Sequence, residues 1–372
     1  MHFNLSEERQ MLRDTIERFL SDNYSKIKSH HEYSTLNEGY NVKIWNESSN
    51  IGMISGLIPP KFNGLGGSGE DIMIIFELIG KYLCVEPFLS TGLMSSTALI
   101  ACGNNSNEFF DEIISGKKII SFCHSEIDSR YDETLIKVKA SKKNDLWYID
   151  GKKSFVLNGD QANVFIVSAR ISGDTSDKNG IGIFKIEANN CDIRPYNTID
   201  GYRCSEVSFN NVTGKLLCSD EKAYKCILET IYAGALAVSS EAIGIMQKCF
   251  DLTIDYLQTR TQFGKTIGSF QALQHRMVDL MIEIEQAKSS VMLAAGTYNS
   301  EKHIKYKNIS AAKNLVGRVG KLVAEECIQL HGGIGMTWEY NLHNFAKRLV
   351  MIDHLMGDSD HHLEQFKKYS NY

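Results

Sequence analysis

Three short stretches hold the residue types from which a binding or catalytic site is made. In RTQFGKTIGSFQALQHRM (260–277), Arg260 precedes the Phe263-Gly264 turn, and Phe270-Gln271 opens the next apolar run with His275 four residues after Gln271. A guanidinium binds phosphate oxygens in a planar fork, and a glycine-released backbone beside it suits a pyrophosphate. Phe263 and Phe270 can pack on a flat ring, while Gln271 brings both a donor and an acceptor. Taken alone, the pattern is equally a helix–loop–helix corner with a surface arginine.

In QLHGGIGMTWEY (329–340), Gly332, Gly333 and Gly335 follow a long helical pattern. They permit positive φ and a close backbone approach, although such a cluster most often marks a helix C-terminus. It is not a dinucleotide fingerprint, because it follows a helix rather than a strand. The third stretch, HLMGDSDHH (354–362), crowds two aspartates and three histidines into nine positions. His354, Asp358, His361 and His362 offer nitrogen and oxygen ligands, but no HExxH or paired-cysteine spacing accompanies them, so no metal site is expected.

The elements that must position these stretches fall into three blocks, with domains expected at 1–116, 117–217 and 218–372. In LSEERQMLRDTIERFL, Leu5, Leu12, Ile16, Phe19 and Leu20 recur at helical spacings, with Ser6 placed to cap the first turn. IPPKFNGLGGSGED puts two prolines and four glycines in fourteen residues, which enforces a loop before Asp71 leads into IMIIFELIGKYL. The second block changes period. LIKVKASKKNDLWYIDGKKSFVLNG alternates apolar and polar residues around KKND and DG turn signals, and NVFIVSAR, GIGIFKIE and CSEVSFNNV continue as short β-rich runs. They predict a mostly antiparallel sheet of six to eight strands. The third block is helical again and free of proline, with three or four long helices that fit an up-down bundle. The fold class is therefore α+β: an N-terminal helical domain, a central antiparallel β domain and a C-terminal four-helix bundle.

Composition narrows the partners. The 372 residues are 43% apolar and 23% charged with a net charge of −5, and no polybasic patch points to nucleic acid or anionic lipid. The N-terminal MHFNLSEERQ lacks an apolar signal core, and no uninterrupted apolar run approaches the roughly 18 residues of a membrane helix. Nine cysteines without a CxxC pair read as reduced thiols, so a cytoplasmic location is expected.

Together and in this order, the arginine-glycine and glycine-pair stretches resemble the acyl-CoA dehydrogenase flavoprotein family, as does the helix–sheet–helix order over nearly the whole chain. PPKFNGLGGSGED is similar to that family's proline-then-glycine loop, and GKKSFVLNGDQANVFIVSAR to its central-sheet pattern. The resemblance implies FAD held between subunits of an oligomer. Arg260 and Gln262 would reach the pyrophosphate of a neighbouring subunit's FAD with Phe263 close by, and Phe270 and Gln271 would lie along the adenosine end. Gln329, Leu330, His331, Gly332 and Gly333 would line the dinucleotide from the other chain. Phe122, Cys123, His124 and Ser125 would hold the flavin pyrimidine edge, and Phe155, Val156 and Leu157 would flank the ring. An acyl-CoA substrate and an electron-transfer protein follow as partners.

The chain also departs from the family. HSEIDSRYD (124–132) keeps Glu126 but lacks the proline and both glycines usual after the first sheet strand, with Tyr131 near a substrate-contacting serine's position. Such a loop predicts a different backbone path and a remodelled acyl-CoA entrance. Leu157 replaces a hydroxyl residue often found beside the reactive flavin nitrogen.

The family reaction removes an α-proton with a carboxylate, a positioned base being worth roughly 10²–10⁴ in rate. Counting forward from Gly332-Gly333, the usual glutamate falls on Met356 before Gly357; counting back from IGIMQ, the alternative position falls on Gly234. Glu241 is a weak substitute: seven residues after Gly234, about 700° of helix, it projects from nearly the same face. A structural carboxylate paired with a neighbouring cation is the favoured reading of Glu241. Glu229 is rotated away, and the resemblance puts Asp358 and Asp360 near FAD phosphates or ribose.

The GD-x-DHHL ending resembles subunits of heteromeric bacterial acyl-CoA dehydrogenases that pair with a glutamate-bearing chain. The chain is thus expected to be an FAD-dependent acyl-CoA dehydrogenase, as a homo-oligomer or in a heterotetramer with a glutamate-bearing homologue. The alternatives are a non-catalytic structural subunit completing a partner's FAD site, or a flavin monooxygenase of the same fold.

Overall fold

A computed structural model of the chain describes residues 5–24, 29–103 and 106–371. In chain order, α1 (Glu7–Asn23), α2 (Ser29–Ser34), α3 (Val42–Asn50), α4 (Gly69–Tyr82), α5 (Ser96–Ala101) and α6 (Asn107–Ile114) precede seven strands. These are β1 (Ile120–Cys123), β2 (Lys139–Lys143), β3 (Leu146–Leu157), β4 (Val164–Arg170), β5 (Ile181–Glu187), β6 (Asp192–Asn197) and β7 (Arg203–Ser219). Helix α7 (Asp220–Thr259) follows, then the hairpin β8 (Thr261–Gln262) and β9 (Lys265–Thr266), and then α8 (Gln271–Gly296), α9 (Lys302–His331), α10 (Leu342–His354) and α11 (Ser359–Ser370). The chain divides into a helical unit of Met1–Glu32, Ser68–Cys84 and Ala235–Tyr372, and a sheet unit of Tyr33–Gly67 and Val85–Gly234.

In the helical unit, Ser6 caps α1 by accepting from the Arg9 amide, and α1 buries Ile16 and Leu20. The loop expected up to Asp71 ends earlier. Ser68 caps α4 in a reciprocal box, with the Asp71 amide on Ser68 Oγ (3.2 Å) and the Ser68 amide on Asp71 Oδ2 (3.0 Å), so Asp71 belongs to the first helical turn. Helix α4 lies hard against the second half of α7. A Cβ on Gly80 would come within 1.9 Å of the Glu241 carbonyl oxygen, and one on Gly244 within 1.8 Å of the Glu77 carbonyl oxygen. Only hydrogen at both positions allows that approach.

Forty residues without proline make α7 long and apolar enough to cross a bilayer by length and composition, although no uninterrupted apolar run in it approaches 18 residues. However, 89% of its apolar window is buried inside the protein, as in a core helix.

The sheet unit is built on one seven-stranded sheet in the order β1-β4-β2-β3-β7-β5, with β6 on β7 and a further β4–β5 pairing. Most pairs are antiparallel; β1 and β2 run parallel to β4. One face packs Phe165, Val167, Phe184, Val207 and Phe209 into a core. Asn144 and Asp145 turn β2 into β3 with φ of 49° and 64°, the left-handed pair that a tight hairpin requires. The Asp150-Gly151 signal is not a turn. It lies inside β3 at a register shift against β7, a bulge in which Gly151 takes φ 132°.

A second shift falls between Lys153 and Val156, where Phe155 adopts φ 54°. Behind β1, a buried π-helix (Phe88–Ser95) presents Thr91, whose Oγ1 bonds both the amide and the carbonyl of Ile120 at 3.0 Å.

Candidate functional site

The Arg260 stretch folds as a hairpin followed by a helix. Helix α7 ends at Thr259, Phe263 and Gly264 turn β8 into β9 with φ of 53° and 78°, and α8 starts at Gln271. Phe263 at the tip is 90% exposed and meets Phe270 edge-on at 6.2 Å, while the Lys265 ammonium lies 4.2 Å from the Phe270 ring centre. Arg260 is exposed and makes no ion pair or side-chain hydrogen bond among the described residues. Gln262 bonds only the neighbouring Thr261 carbonyl (2.8 Å), and Gln271 is exposed.

At the end of α9, Gln329, Gly332 and Gly333 are exposed, and a Cβ on either glycine would meet nothing within 4 Å. Gly332 takes φ 66° and ψ −147°, a conformation that side chains forbid. Leu330 and His331 depart from the expectation that they line a ligand, since both side chains are buried. The His331 ring stacks on Tyr256 at 4.5 Å with Nδ1 on the Cys327 carbonyl (2.8 Å), and burial lowers its pKa. What these two residues can offer a ligand is backbone.

The 354–362 stretch is a connection between helices. Asp358 caps α11, its Oδ1 accepting from the His361 amide (2.8 Å), while Asp360 is exposed in the first turn. One oxygen of Asp358, expected near FAD phosphates or ribose, is thus engaged in the helix cap. Met356 stands at φ 57° with its carbonyl on His362 Nε2 (2.8 Å). Lys313 of α9 donates to the carbonyls of Gly357 (2.8 Å) and Asp353 (3.1 Å), and burial pulls its pKa down to about 8. Burial, with Lys313 beside it, also holds His362 neutral far below its usual range. Three anchors thus fix the segment that carries Met356.

Glu241 is 1% exposed and fully engaged. Arg348 of α10 donates from Nε to Oε1 (2.6 Å) and from Nη2 to Oε2 (2.9 Å), a two-pronged buried pair that engages both carboxylate oxygens. The candidate base is therefore a structural carboxylate. Gly234 is buried within α7.

In the sheet unit, Phe122 and His124 leave β1 on one face and stack at 5.9 Å. The Ser125 carbonyl accepts from the Ser154 amide (2.9 Å), which ties the end of β1 to β3. Phe155 and Leu157 are half-buried, whereas Val156 points into the sheet core and so offers backbone alone.

The loop after β1 is compact despite its missing glycines. Arg130 takes φ 45°, and Ser129 Oγ bridges the amide (3.0 Å) and carbonyl (2.9 Å) of Glu126. Glu126 is held by Lys153 Nζ on Oε1 (2.8 Å) and by the amides of Lys137 and Val138. Lys153 is 0% exposed and also reaches the His124 carbonyl (2.8 Å) and Ser168 Oγ (3.1 Å).

Profiles of one family match along the whole chain: the acyl-CoA dehydrogenase N-terminal domain over residues 6–113, the middle domain over 121–212 and the C-terminal domain over 224–369. This chain belongs to the acyl-CoA dehydrogenase family. Acyl-CoA dehydrogenase IpdE2 of Mycolicibacterium smegmatis is 27% identical, covering 95% of this chain and 96% of that protein. Among the solved structures that share the fold of this chain are these two. One is the ChsE4–ChsE5 complex from Mycobacterium tuberculosis, with TM-score 0.86 and 18% identity over 100% of this chain and 99% of that one. The other is PigA with FAD and proline, with TM-score 0.87 and 20% identity over 100% and 99%.

The exposed Arg260 and the Gly332–Gly333 pair fit a dinucleotide. An exposed arginine without an acidic partner and a side-chain-free glycine pair are what an anionic pyrophosphate needs. Sequence reasoning missed Arg348, Lys313, Lys153 and Ser168. Ser168 interrupts the apolar run VFIV, which was an available signal, whereas Arg348, Lys313 and Lys153 stand beside other polar residues and carried none.

Proposed function

We propose that the chain is an FAD-dependent acyl-CoA dehydrogenase component that oxidises the CH–CH bond of an acyl-CoA thioester together with a glutamate-bearing homologue. The observation that carries the second half of this reading is the Glu241–Arg348 pair. With Met356 and Gly234 at the two customary base positions and Glu241 sequestered, the chain supplies no carboxylate for the α-proton. The ChsE4–ChsE5 complex, in which a chain with this fold is paired with a second protein, is a precedent for a two-protein assembly.

Bound FAD would supply the hydride acceptor for Cβ. Arg260 and the open backbone at Gly332–Gly333 would hold the pyrophosphate, Phe263, Phe270 and Gln271 would receive the adenosine end, and Gln329 would add an amide. Phe122, His124 and Ser125 hold the pyrimidine edge, with Phe155 and Leu157 along the ring. Met356, fixed by His362, fills the base position with a thioether that neither accepts nor delivers a proton. Electrons then leave to an electron-transfer protein. Nine cysteines, all free of disulfides, suit a reducing compartment such as the cytoplasm.

The test compares the chain alone with the chain co-purified with a glutamate-bearing homologue, using acyl-CoA and an artificial electron acceptor. Flavin absorbance and turnover are expected in the mixture. Turnover by the chain alone would overturn the two-protein reading. A mixture whose activity survives Arg260→Ala unchanged would select a purely structural subunit.

A further inference from the structure

The cluster around Lys153 fixes a proton that the coordinates alone leave open. Lys153 Nζ has three acceptors: the His124 carbonyl (2.8 Å), Glu126 Oε1 (2.8 Å) and Ser168 Oγ (3.1 Å). An ammonium has three protons, so all are used. Ser168 Oγ therefore accepts from Lys153, and its own proton has one recorded partner, Nδ1 of His124 at 2.9 Å. A His124 ring protonated at Nδ1 would instead donate into the remaining lone pair of that hydroxyl and strand its buried O–H, at a cost of about 1–3 kcal/mol. The ring is thus neutral, accepts at Nδ1 and carries its proton on Nε2.

Burial first, and then the Lys153 charge, push the imidazole pKa down to about 3, in keeping with this form. Lys153 is the charged group facing the ring, and Glu126 in turn faces Lys153. No protein acceptor meets Nε2 among the described residues, and His124 retains 9% exposure.

We propose that His124 is a fixed Nε2–H donor to the redox ring of the cofactor, where it stabilises the negative charge that reduction places on the pyrimidine edge, with Ser168 and Lys153 as its positioning residues. This rests on the FAD reading above. A neutral imidazole with an enforced tautomer donates at constant strength over the working pH range, whereas an unconstrained histidine titrates near 6.5.

The experiment uses the FAD-loaded assembly in wild-type, His124→Phe, His124→Gln and Ser168→Ala forms, with visible spectra and reduction midpoint potentials from pH 5 to 8. Wild type is expected to carry FAD. His124→Phe should keep FAD but lose roughly tenfold in preference for the reduced form, about 30 mV for a two-electron couple. His124→Gln, which retains a donor, should recover part of that loss, and Ser168→Ala should fall between. The gap between wild type and His124→Phe should be the same at every pH.

A flavin-loaded His124→Phe with wild-type potential, or a gap that changes around pH 6.5, overturns this inference and leaves the FAD reading standing. A wild-type assembly that binds no FAD overturns both. Should His124→Phe fail to fold, an unchanged potential in Ser168→Ala overturns the inference instead.

Discussion

Each unit contains a carboxylate buried against a buried cation, and these two pairs do different work. In the helical unit, Arg348 takes both oxygens of Glu241 and the pair is closed. In the sheet unit, Glu126 shares its oxygens among Lys153 and the amides of Lys137 and Val138, and Lys153 passes its remaining protons to His124 and Ser168. The first arrangement sequesters a group; the second transmits a constraint from a loop to an imidazole. The difference follows from chemistry. A guanidinium presents a planar fork that matches a carboxylate and never loses its charge, whereas an ammonium is a point donor with protons to spare and a pKa that moves. Burial lowers the Lys153 pKa, and Glu126 raises it part of the way back.

Removing the carboxylates should separate the two pairs. Glu241→Leu leaves Arg348 charged at 4% exposure, and the unfolding free energy should fall by about 3–5 kcal/mol, read by chemical denaturation. Adding Arg348→Met should restore most of it, because a well-packed apolar pair replaces an ion pair at little cost. A single-variant loss below about 1 kcal/mol would mean that the Glu241 pair is not the closed unit described.

Glu126→Leu should cost less, about 1–3 kcal/mol, because Lys153 can shed its proton. Its loss should also depend on pH. Without Glu126, the folded pKa of Lys153 moves further below its unfolded value, so the unfolded chain binds a proton that the folded one lacks, and stability rises with pH across that window. The deficit of Glu126→Leu should therefore narrow between pH 7 and 10, while that of Glu241→Leu should stay flat. Parallel slopes would erase the distinction. The smallest effect on stability belongs to Arg260→Ala, an exposed site where about 0.5 kcal/mol or less is expected. FAD dissociation should nonetheless be at least tenfold faster, since a charge-assisted phosphate contact contributes about 1.5–3 kcal/mol.

The exposed half of the candidate site was legible in the sequence because it is local. Arg260, Phe263-Gly264, Phe270-Gln271 and Gly332-Gly333 lie in short stretches whose turn chemistry sets their geometry, and the structure leaves them exposed or half-buried there. The buried half was less legible. Leu330, His331 and Val156 share stretches with exposed neighbours, yet their side chains turn into cores, because helix and strand periodicity assigns each position a face. The Asp150-Gly151 pair reads as a turn locally and becomes a bulge because β3 pairs with β7 on both sides of it. Cysteines scattered along the chain meet, with Cys102 Sγ at 2.7 Å from Cys218 Sγ, for the same long-range reason.

What the chain carries in one dimension is its element order, its helix caps and glycine turns, and the arginine-glycine and glycine-pair stretches. Those features depend on residue type and spacing within a few turns of backbone. Tertiary structure alone decided that Arg348 closes on Glu241 across 107 positions, that Lys313 and His362 hold the Met356 segment, and that Lys153 and Ser168 set the proton of His124. Apart from the His362–Met356 bond, each of these is a hydrogen bond between residues far apart in the chain. Its partner and direction are chosen by which faces pack together and by how many protons each buried donor has to give.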